Sequence, residues 1–343
     1  PDSRAYTFLA NGETETGSYT YSELDQRARA IGEQLDALVR RGQPVLVVLP
    51  AGLDFLAAFF GCLYAGAIAV PTPVPGRRQI GRLTSILTDS GTKLLLTHRR
   101  IYTDLKDELT GVIARQSVNI RFIEETGPAP QNHFESVAVS ANSLAFLQYT
   151  SGSTGMPKGV MVSHANLIHN LGALAKRTCR SDRDIGVSWL PQFHDMGLIE
   201  GLLAPLYSGY PTVNMSPESF IQKPIRWLLA ITRYRATISG GPNFAYAQCL
   251  RRVEPAQRDL LDLSSWQCAY NGAEFVRDET LQRFAEFFAP AGFNRSAQLA
   301  CYGLAESTVA VAFGEMNKFP DVIQVDPDAL KQDRIMPVEA DKG

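Results

Sequence analysis

At 343 residues the chain exceeds the usual size of one domain, so we expect two subdomains packed into a single body. Apolar residues make up 45% of the chain and charged residues 20%, a composition that excludes disorder and is typical of a globular protein with a large core. The 33 basic and 35 acidic residues give a formal charge of −2, which provides no overall field for attracting nucleic acid or anionic lipid.

Helical and strand-like patterns alternate through the first half of the chain. Apolar residues at helical spacing predict a helix over residues 22–39, with Ser22 as its N-cap and Gly42 as its stop. An uncharged run at 55–70, about 16 residues long, is shorter than the ~20 that cross a bilayer, so we expect a buried helix leading into a buried strand and no membrane span. The other elements predicted here are strands at 45–49, 68–71 and 93–97, and helices at 54–64 and 80–88.

The second half repeats this alternation after a polar, proline-rich stretch at 126–134, which we interpret as a surface connection. The predicted strands are 144–149, 160–163, 187–190, 236–239 and 266–270, and the predicted helices are 165–176, 225–234 and 277–288. Strands that alternate with helices indicate βαβ units, so the sequence predicts an α/β fold with largely parallel sheets.

The cysteines are scattered, and no two of them have the Cys-x-x-Cys spacing of a zinc site. Their odd number, five, also argues against a disulfide framework. We therefore expect reduced thiols in a cytoplasmic protein.

A segment rich in glycine and hydroxyl side chains, YTSGSTGMPKG at 149–159, lies between two predicted strands. Its glycines allow backbone amides to approach an anion, its hydroxyls can donate to phosphate oxygens, and Lys158 supplies a positive charge. It is not a Walker A loop, because the Gly-Lys-Ser/Thr ending is missing and a strand follows. A plain hairpin turn would explain neither the lysine nor the hydroxyls, so we interpret the segment as a phosphate-binding loop.

This loop closely resembles the signature loop of the adenylate-forming superfamily, which includes acyl-CoA synthetases, peptide-synthetase adenylation domains and luciferases. The resemblance implies that ATP is the nucleotide, that the loop holds its β- and γ-phosphates, and that Lys158 is catalytic. It also implies the layered αβαβα N-terminal body of that superfamily, with approximate subdomains of residues 1–65 plus 170–315 and of residues 66–169. The phosphate-binding residues implied by the match are Thr150, Ser151, Gly152, Ser153, Thr154, Gly155 and Lys158.

A second motif, WLPQFHDMGLIEGLLAP at 189–205, follows a predicted strand. A lone histidine among apolar residues is usually a satisfied core group, but an imidazole beside an apolar groove can also orient a carboxylate that has lost its water. The string resembles the histidine motif of acyl-activating enzymes, in the His-Asp-Met-Gly-Leu form of the fatty acyl-AMP ligases. The resemblance implies a catalytic His194 and a substrate-contacting Met196.

Two further segments follow strand ends, where open α/β sheets bind ligands. SGGPNFAY at 239–246 resembles the segment that lines the acyl tunnel of acyl-AMP ligases, although aromatic residues at helical spacing are more often plain core. NGAE at 271–274 resembles the adenine-contacting turn of the family and departs from it at Phe275, where proline is usual. The residues implied are Gly241, Pro242, Asn243, Phe244 and Tyr246 for the acyl substrate, and Asn271, Gly272, Ala273 and Glu274 for the nucleotide.

YGLAEST at 302–308 is the fourth motif, in the order that the family has. An aromatic ring can stack on adenine, and a carboxylate can reach a Mg²⁺ ion that phosphates also bind. By resemblance we expect Tyr302 and Gly303 to contact the nucleotide and Glu306 to bind Mg²⁺.

Among adenylate-forming enzymes, the fatty acyl-AMP ligases are the most similar. PLYSGYPTVNMSP at 205–217 matches them, and residues 314–343 resemble the insertion that marks them. The resemblance implies activation of a fatty acid to acyl-AMP and transfer to the phosphopantetheine of an acyl carrier protein, which we expect to belong to a polyketide or peptide synthase. Two alternatives stay open, namely an acyl- or aryl-CoA ligase and a non-catalytic ligand-binding or docking module.

Three elements of the superfamily have no matching residues in the chain. They are the ribose-binding aspartate, the hinge and the C-terminal domain with its catalytic lysine. Because losing one preorganised charge costs on the order of 10²–10³ in rate, we expect this stretch alone to fold but to have little or no adenylation activity.

Overall fold

The computed structural model describes residues 1–76, 79–127, 137–150 and 157–338. Its strands are β1 (Arg4–Ala10), β2 (Thr14–Thr20), β3 (Pro44–Val48), β4 (Ile68–Thr72), β5 (Leu94–Thr97), β6 (Asn119–Phe122), β7 (Leu144–Thr150), β8 (Lys158–Ser163), β9 (Gly186–Ser188), β10 (Thr212–Met215), β11 (Ile238–Gly241), β12 (Cys268–Asn271), β13 (Gln298–Gly303) and β14 (Ala310–Phe313). Its α-helices are α1 (Tyr21–Asp36), α2 (Leu53–Tyr64), α3 (Ile80–Ser90), α4 (Arg99–Gln116), α5 (His164–Arg177), α6 (Ala204–Ser208), α7 (Pro217–Gln222), α8 (Ile225–Tyr234), α9 (Asn243–Arg252), α10 (Pro255–Arg258), α11 (Asp278–Phe288) and α12 (Pro327–Leu330).

The strands form two sheets. One has eight strands in the order β14-β13-β12-β11-β9-β10-β1-β2, and the other has six in the order β6-β5-β3-β4-β7-β8. Interior neighbours pair in parallel, whereas the edge pairs β1–β2, β7–β8 and β13–β14 are antiparallel. The predicted α/β fold with two largely parallel sheets is therefore confirmed.

One strand, β3, belongs to a different sheet from the one that its predicted subdomain implies. Residues 1–65 were expected to join the later half of the chain, but β3 pairs in parallel with β4 and β5 of the six-stranded sheet. The next strand along the chain, β4, is reached through α2, and successive strands joined by a crossover helix usually become neighbours. Sheet membership therefore changes between β2 and β3 rather than near residue 65.

The first helix begins at a different cap from the one predicted. The hydroxyl of Thr20 accepts a hydrogen bond from the backbone N–H of Glu23 at 3.1 Å, and the Glu23 carboxylate accepts one from the backbone N–H of Thr20 at 2.8 Å. This reciprocal capping box satisfies two backbone donors, so Ser22 lies inside the helix and the predicted Ser22 cap is wrong. The helix also ends earlier, at Asp36.

The uncharged run at 55–70 divides as predicted into the rest of α2 and the start of β4. All of β4 is buried, and seven of the twelve residues of α2 are buried. Gly66 separates them in a left-handed conformation, with φ of 64°. Among the helices of the described ranges, none combines the length and the hydrophobicity that a bilayer span needs.

A cluster of buried aromatic rings packs beneath β11 and β12 of the eight-stranded sheet. The ring centres of Trp227 and Trp266 are 5.2 Å apart, and those of Tyr246 and Phe284 are 5.0 Å apart, each pair in an edge-to-face arrangement. Such pairs contribute ~0.5–1.5 kcal/mol each beyond the burial of their surface. The strand ends described next are therefore held by a rigid core.

Candidate active site at the carboxyl ends of the strands

Four neighbouring strands of the eight-stranded sheet end at one edge. β9, β11, β12 and β13 pair in parallel, so the segments that follow them emerge side by side. The residues predicted for the acyl substrate and for the adenine end of the nucleotide lie in these segments or at the last positions of the strands, whereas the predicted phosphate loop follows β7 of the other sheet. The topology thus brings together motifs that are up to about a hundred residues apart in the chain, at the place where open α/β sheets bind ligands.

A cavity opens at this edge, and we call it the strand-end cavity. Among the predicted residues it is lined by Met196, Ala273, Tyr302 and Gly303. The Tyr302 side chain is 62% exposed, so its ring is accessible to a ligand. The remaining lining residues are largely apolar, and the charged ones among them are Arg180, Asp195 and Glu200. The full set of remaining residues is Leu174, Thr178, Arg180, Asp195, Glu200, Tyr270, Leu299, Cys301, Val309, Ala310 and Phe313.

The turn after β12 has little steric freedom. A Cβ atom on Gly272 would lie 2.6 Å from the backbone oxygen of Cys301, so a larger residue would push β13 away. The next residue, Ala273, has a φ of 63°, a left-handed conformation that costs a residue with a Cβ roughly 1–2 kcal/mol. Glu274 then accepts a hydrogen bond from the backbone N–H of Phe244 at 2.5 Å, which ties the turn to the first residues of α9.

The last residue of β12, Asn271, has a fully buried side chain whose amide is unsatisfied. Neither its Oδ1 nor its Nδ2 has a hydrogen-bond partner among the described residues. Leaving a buried polar group without a partner costs roughly 1–3 kcal/mol. This amide follows Tyr270, which lines the cavity, and it has both a donor and an acceptor without a described partner.

The histidine of the second motif is paired with the residue that follows it. Nδ1 of His194 lies 2.7 Å from Oδ1 of Asp195, and the hydrogen bond between them raises the pKa of the imidazole above its ordinary value against the opposing effect of burial. Asp195 also accepts a hydrogen bond from the backbone N–H of Met196 at 2.6 Å, at the start of a π-helix over Met196–Leu203. The imidazole is thus oriented, and its proton is held more tightly than in a free histidine.

The π-helix begins against the preceding turn. A Cβ on Gly197 would lie 2.0 Å from the backbone oxygen of Pro191, so only glycine fits the close approach of these two segments. Helices of the π type are rare and often occur at functional sites. The glycine of the His-Asp-Met-Gly string therefore serves the geometry that positions the histidine.

The two strands that flank the predicted phosphate loop are described, and most of the loop itself is not. Thr150 and Lys158 face each other as register partners in the antiparallel pair β7–β8, so both ends of the loop are fixed. The Lys158 side chain is exposed. The predicted phosphate contacts of Ser151, Gly152, Ser153, Thr154 and Gly155 fall outside the described residues.

A second cavity, which we call the loop-side cavity, lies where β7 ends. It is lined by Thr150, His194 and Asp195, together with Arg82 and Ala305. Since Asp195 also lines the strand-end cavity, the His194–Asp195 pair stands at the boundary between the two. The sequence did not single out Arg82, which makes no ion pair with any described residue.

Glu306 lies in a short 3₁₀ turn and lines a third cavity with Asn166, His169 and Thr308. Its carboxylate is exposed, and no cation of the described ranges pairs with it. Within those ranges no group of three or more His, Cys, Asp or Glu side chains could hold a metal by itself. Mg²⁺ binds through few carboxylates plus water and phosphate oxygens, so a single free carboxylate fits an ion that a nucleotide also holds.

The segment predicted to line an acyl tunnel has mixed placements. Phe244 is 39% exposed and contacts Trp189 edge-to-face with ring centres 6.0 Å apart, but it lies on a different surface depression from the strand-end cavity. Asn243 is buried and used structurally, since it accepts from the backbone N–H of Arg277 at 3.1 Å. Gly241 ends β11, and Pro242 precedes α9.

Tyr246 is a core residue rather than a cavity-lining one. Its side chain is fully buried among the aromatic rings below the sheet, and its hydroxyl donates to the backbone oxygen of Tyr270 at 2.8 Å. The sequence predicts a direct contact between Tyr246 and the acyl substrate. The position of the residue does not support that contact, because its side chain points from the first turn of α9 into the core. Its contribution to the site is to hold β12.

The chain matches the family model described as AMP-binding enzyme over residues 1–335. It is 45% identical to the medium-chain-fatty-acid–[acyl-carrier-protein] ligase JamA of Moorena producens (strain JHB), over 98% of this chain and 57% of that protein. It is 36% identical to the long-chain-fatty-acid–AMP ligase FadD32 of Mycolicibacterium smegmatis, over 99% of this chain and 55% of that protein. The chain therefore spans little more than half the length of the curated relatives it matches.

Solved structures agree with the sequence matches. A fatty acid AMP ligase from Legionella pneumophila superposes with a TM-score of 0.89 at 39% identity, covering 99% of this chain and 59% of that one. A fatty acyl-adenylate ligase of L. pneumophila in complex with acyl adenylate and pyrophosphate superposes with a TM-score of 0.86 at 38% identity, covering 98% and 58%. With 335 of its 343 residues inside the family model, the chain belongs to the AMP-binding enzyme family.

Proposed function

We propose that this chain is the nucleotide- and acyl-binding part of a fatty acyl-AMP ligase, which activates a fatty acid with ATP and passes the acyl group to an acyl carrier protein. The single observation that carries the proposal is the position of the His194–Asp195 pair. It lies between the strand-end cavity, with Met196 and Tyr302, and the loop-side cavity, with Thr150. A carboxylate held there would face the α-phosphate of a nucleotide whose base and phosphates occupy the two sides.

The proposed chemistry is a displacement at phosphorus. An oxygen of the fatty acid carboxylate forms a bond to the α-phosphorus, the bond to the bridging oxygen of the β-phosphate breaks, and pyrophosphate leaves. The imidazole of His194, held by Asp195, orients the attacking carboxylate and compensates its lost hydration. Lys158 and the hydroxyls from Thr150 onward bind the departing phosphates.

The nucleotide is assigned to residues that lie at the cavity edge. Tyr302 stacks on adenine beside Gly303, and the turn at Asn271, Gly272, Ala273 and Glu274 meets its edge, with the free Asn271 amide as a hydrogen-bonding group. Glu306 is the residue that would hold Mg²⁺. When bound, this ion neutralises negative charge on the phosphates.

The acceptor is proposed from the relatives. Two of them, JamA at 45% identity and TtuA of Teredinibacter turnerae at 35%, are named as ligases that act on an acyl carrier protein. We place the acceptor in a polyketide or peptide synthase, and we place the protein in the cytoplasm because its five cysteines are free thiols. Residues 314–343 are the proposed insertion that disfavours free CoA.

Pyrophosphate release by the full-length parent tests this function, with a panel of fatty acids and either a phosphopantetheinylated carrier protein or free CoA as acceptor. We expect acid-dependent pyrophosphate release followed by loading of the carrier protein alone. Efficient formation of acyl-CoA would instead establish a CoA ligase. If no acid stimulates pyrophosphate release, the enzymatic proposal itself is wrong.

A further inference from the structure

A buried ion pair lines the strand-end cavity, and the proposed chemistry does not use it. The guanidinium of Arg180 pairs with the carboxylate of Glu200, and the two side chains are only 1% and 8% exposed. Burial acts to lower the pKa of Arg180, but the Glu200 carboxylate and Tyr210 outweigh it, so the pKa stays above its ordinary value and the guanidinium stays charged. Both residues are among those that line the cavity.

The pair joins two walls of the cavity. Arg180 follows the last turn of α5, which also contributes Leu174 and Thr178 to the lining, whereas Glu200 lies in the π-helix together with Met196. The ion pair therefore bridges from one wall to the other. Exposed lining residues such as Ala273 and Tyr302 mark the open side, and Arg180 and Glu200 belong to the buried side.

The bridge is held rigidly. Nε of Arg180 donates to the Thr178 hydroxyl at 2.7 Å, and Nη1 lies 3.4 Å from the Tyr210 hydroxyl, while Nη2 donates to Glu200. All three nitrogen atoms of the guanidinium are thus engaged, and moving it would leave a buried charge uncompensated. A chain that enters from the open side therefore meets a fixed end instead of a side chain that yields.

We propose that the Arg180–Glu200 pair closes the strand-end cavity and sets the longest acyl chain that it accepts. This inference rests on the proposed function, because it takes the nucleotide base to lie at the open side of the cavity, beside Tyr302, and the acyl chain to fill the buried side. The largely apolar lining up to the pair favours a hydrocarbon chain, since each buried methylene contributes to affinity. The gain in affinity stops at the ion pair, because the terminal methyl group of the acyl chain cannot displace two mutually bound charges.

The first test uses this chain and non-hydrolysable acyl sulfamoyl adenosines from hexanoyl to hexadecanoyl, with affinity measured by calorimetry. We expect affinity to rise about fourfold per methylene up to a limiting length and then to fall. An analogue of the limiting length with a diazirine at its chain end should label Glu200 or a residue beside it on irradiation. A rise that continues to hexadecanoyl, or labelling away from the π-helix and the end of α5, would overturn the proposal.

Two matched double variants separate the size of the pair from its charge. Arg180→Ala with Glu200→Ala shortens both side chains and should move the limiting length to longer chains. Arg180→Met with Glu200→Gln keeps the length without the charge and should leave the limit in place. Replacing the surface pair Arg226 and Glu13, whose Nε and Oε1 are 2.9 Å apart, by alanine is the control that should change neither limit nor label.

A purely structural role gives a different result. In that case the shortened pair lowers the melting temperature but keeps the same limiting length, and the closure proposal is wrong. If the shortened pair does not fold, the wild-type length series and the labelling site decide the question. Failure of every analogue to bind, whatever its length, would instead refute the proposed function.

Discussion

Nδ1 of His194 lies 2.7 Å from Oδ1 of Asp195, at the boundary between the two cavities. The two residues are adjacent in the chain, but their geometry also depends on the π-helix that follows, because the Asp195 carboxylate accepts a hydrogen bond from the backbone N–H of Met196. The pair therefore gives an imidazole of fixed direction at the boundary between the two cavities. Its titration is the most direct measure of that arrangement.

The pKa of His194 should lie above 6.5 in the wild type and should fall when Asp195→Asn removes the carboxylate, as measured by NMR titration of the imidazole. Because the folded-state pKa is raised, the pair stabilises the fold fully below pH 6.5, and this contribution is lost as pH rises through the raised value. Binding of a fatty acid carboxylate should weaken over the same upper window. An unchanged pKa in Asp195→Asn would contradict the assignment.

Ala273→Gly should stabilise the fold by about 1 kcal/mol. The left-handed φ of 63° strains a residue with a Cβ, and the relief exceeds the entropy that glycine adds to the unfolded chain. Urea denaturation of wild type and variant measures the difference. Ala269→Gly, in the preceding strand, is the control and should destabilise. A loss of stability in Ala273→Gly would show that the turn has another conformation.

Asn271→Leu should leave stability unchanged or raise it by about 1 kcal/mol while weakening nucleotide binding. Its buried amide has no partner among the described residues, so an apolar side chain of similar size removes a desolvation penalty. Urea denaturation and titration with ATP measure the two effects separately. If stability falls by several kcal/mol while ATP binding is unchanged, the amide has a structural partner and no role toward the nucleotide.

Tyr246→Phe should destabilise the fold by about 1–2 kcal/mol, because it removes the hydrogen bond to the Tyr270 backbone oxygen. Affinity for acyl sulfamoyl adenosines should stay within about twofold, since the ring is in the core and not on the cavity. Tyr302→Ala is the comparison variant, and the loss of its stacking should weaken binding with little effect on stability. A change in chain-length preference for Tyr246→Phe would restore it as a cavity residue.

Most of the fold could be predicted because its parallel strands are short apolar runs bounded by clear breaks. The strand at 45–49 and the helix at 225–234 are found within one residue of their predicted bounds. The N-terminal hairpin was missed because β2, TETGSYT, lacks alternating apolar residues, and it is stabilised by pairing with β1 instead. Helix α4 has only three buried residues, so its apolar stripe is weak in the sequence.

The candidate site was predictable where function depends on local sequence. Met196, Ala273 and Tyr302 were identified from short motifs at strand ends, and all three line one cavity. Tyr246 was misassigned because the direction of a helical side chain depends on which neighbours the helix packs against. The Arg180–Glu200 ion pair could not be predicted from the sequence. The two residues are twenty positions apart, one in a loop and one in the π-helix, and no sequence pattern indicates that they are in contact.

The order of strands in the two sheets also fixes when each can be completed during synthesis. All strands of the six-stranded sheet are made once Ser163 has left the ribosome, whereas β1 waits for its parallel partner β10, which ends at Met215. Until then the β1 edge of the N-terminal hairpin, which β10 later covers, has no partner, and such edges favour misassembly. We therefore expect the six-stranded sheet to form first. The eight-stranded sheet then assembles against it, beginning with the strands that are synthesised first and ending with those synthesised last.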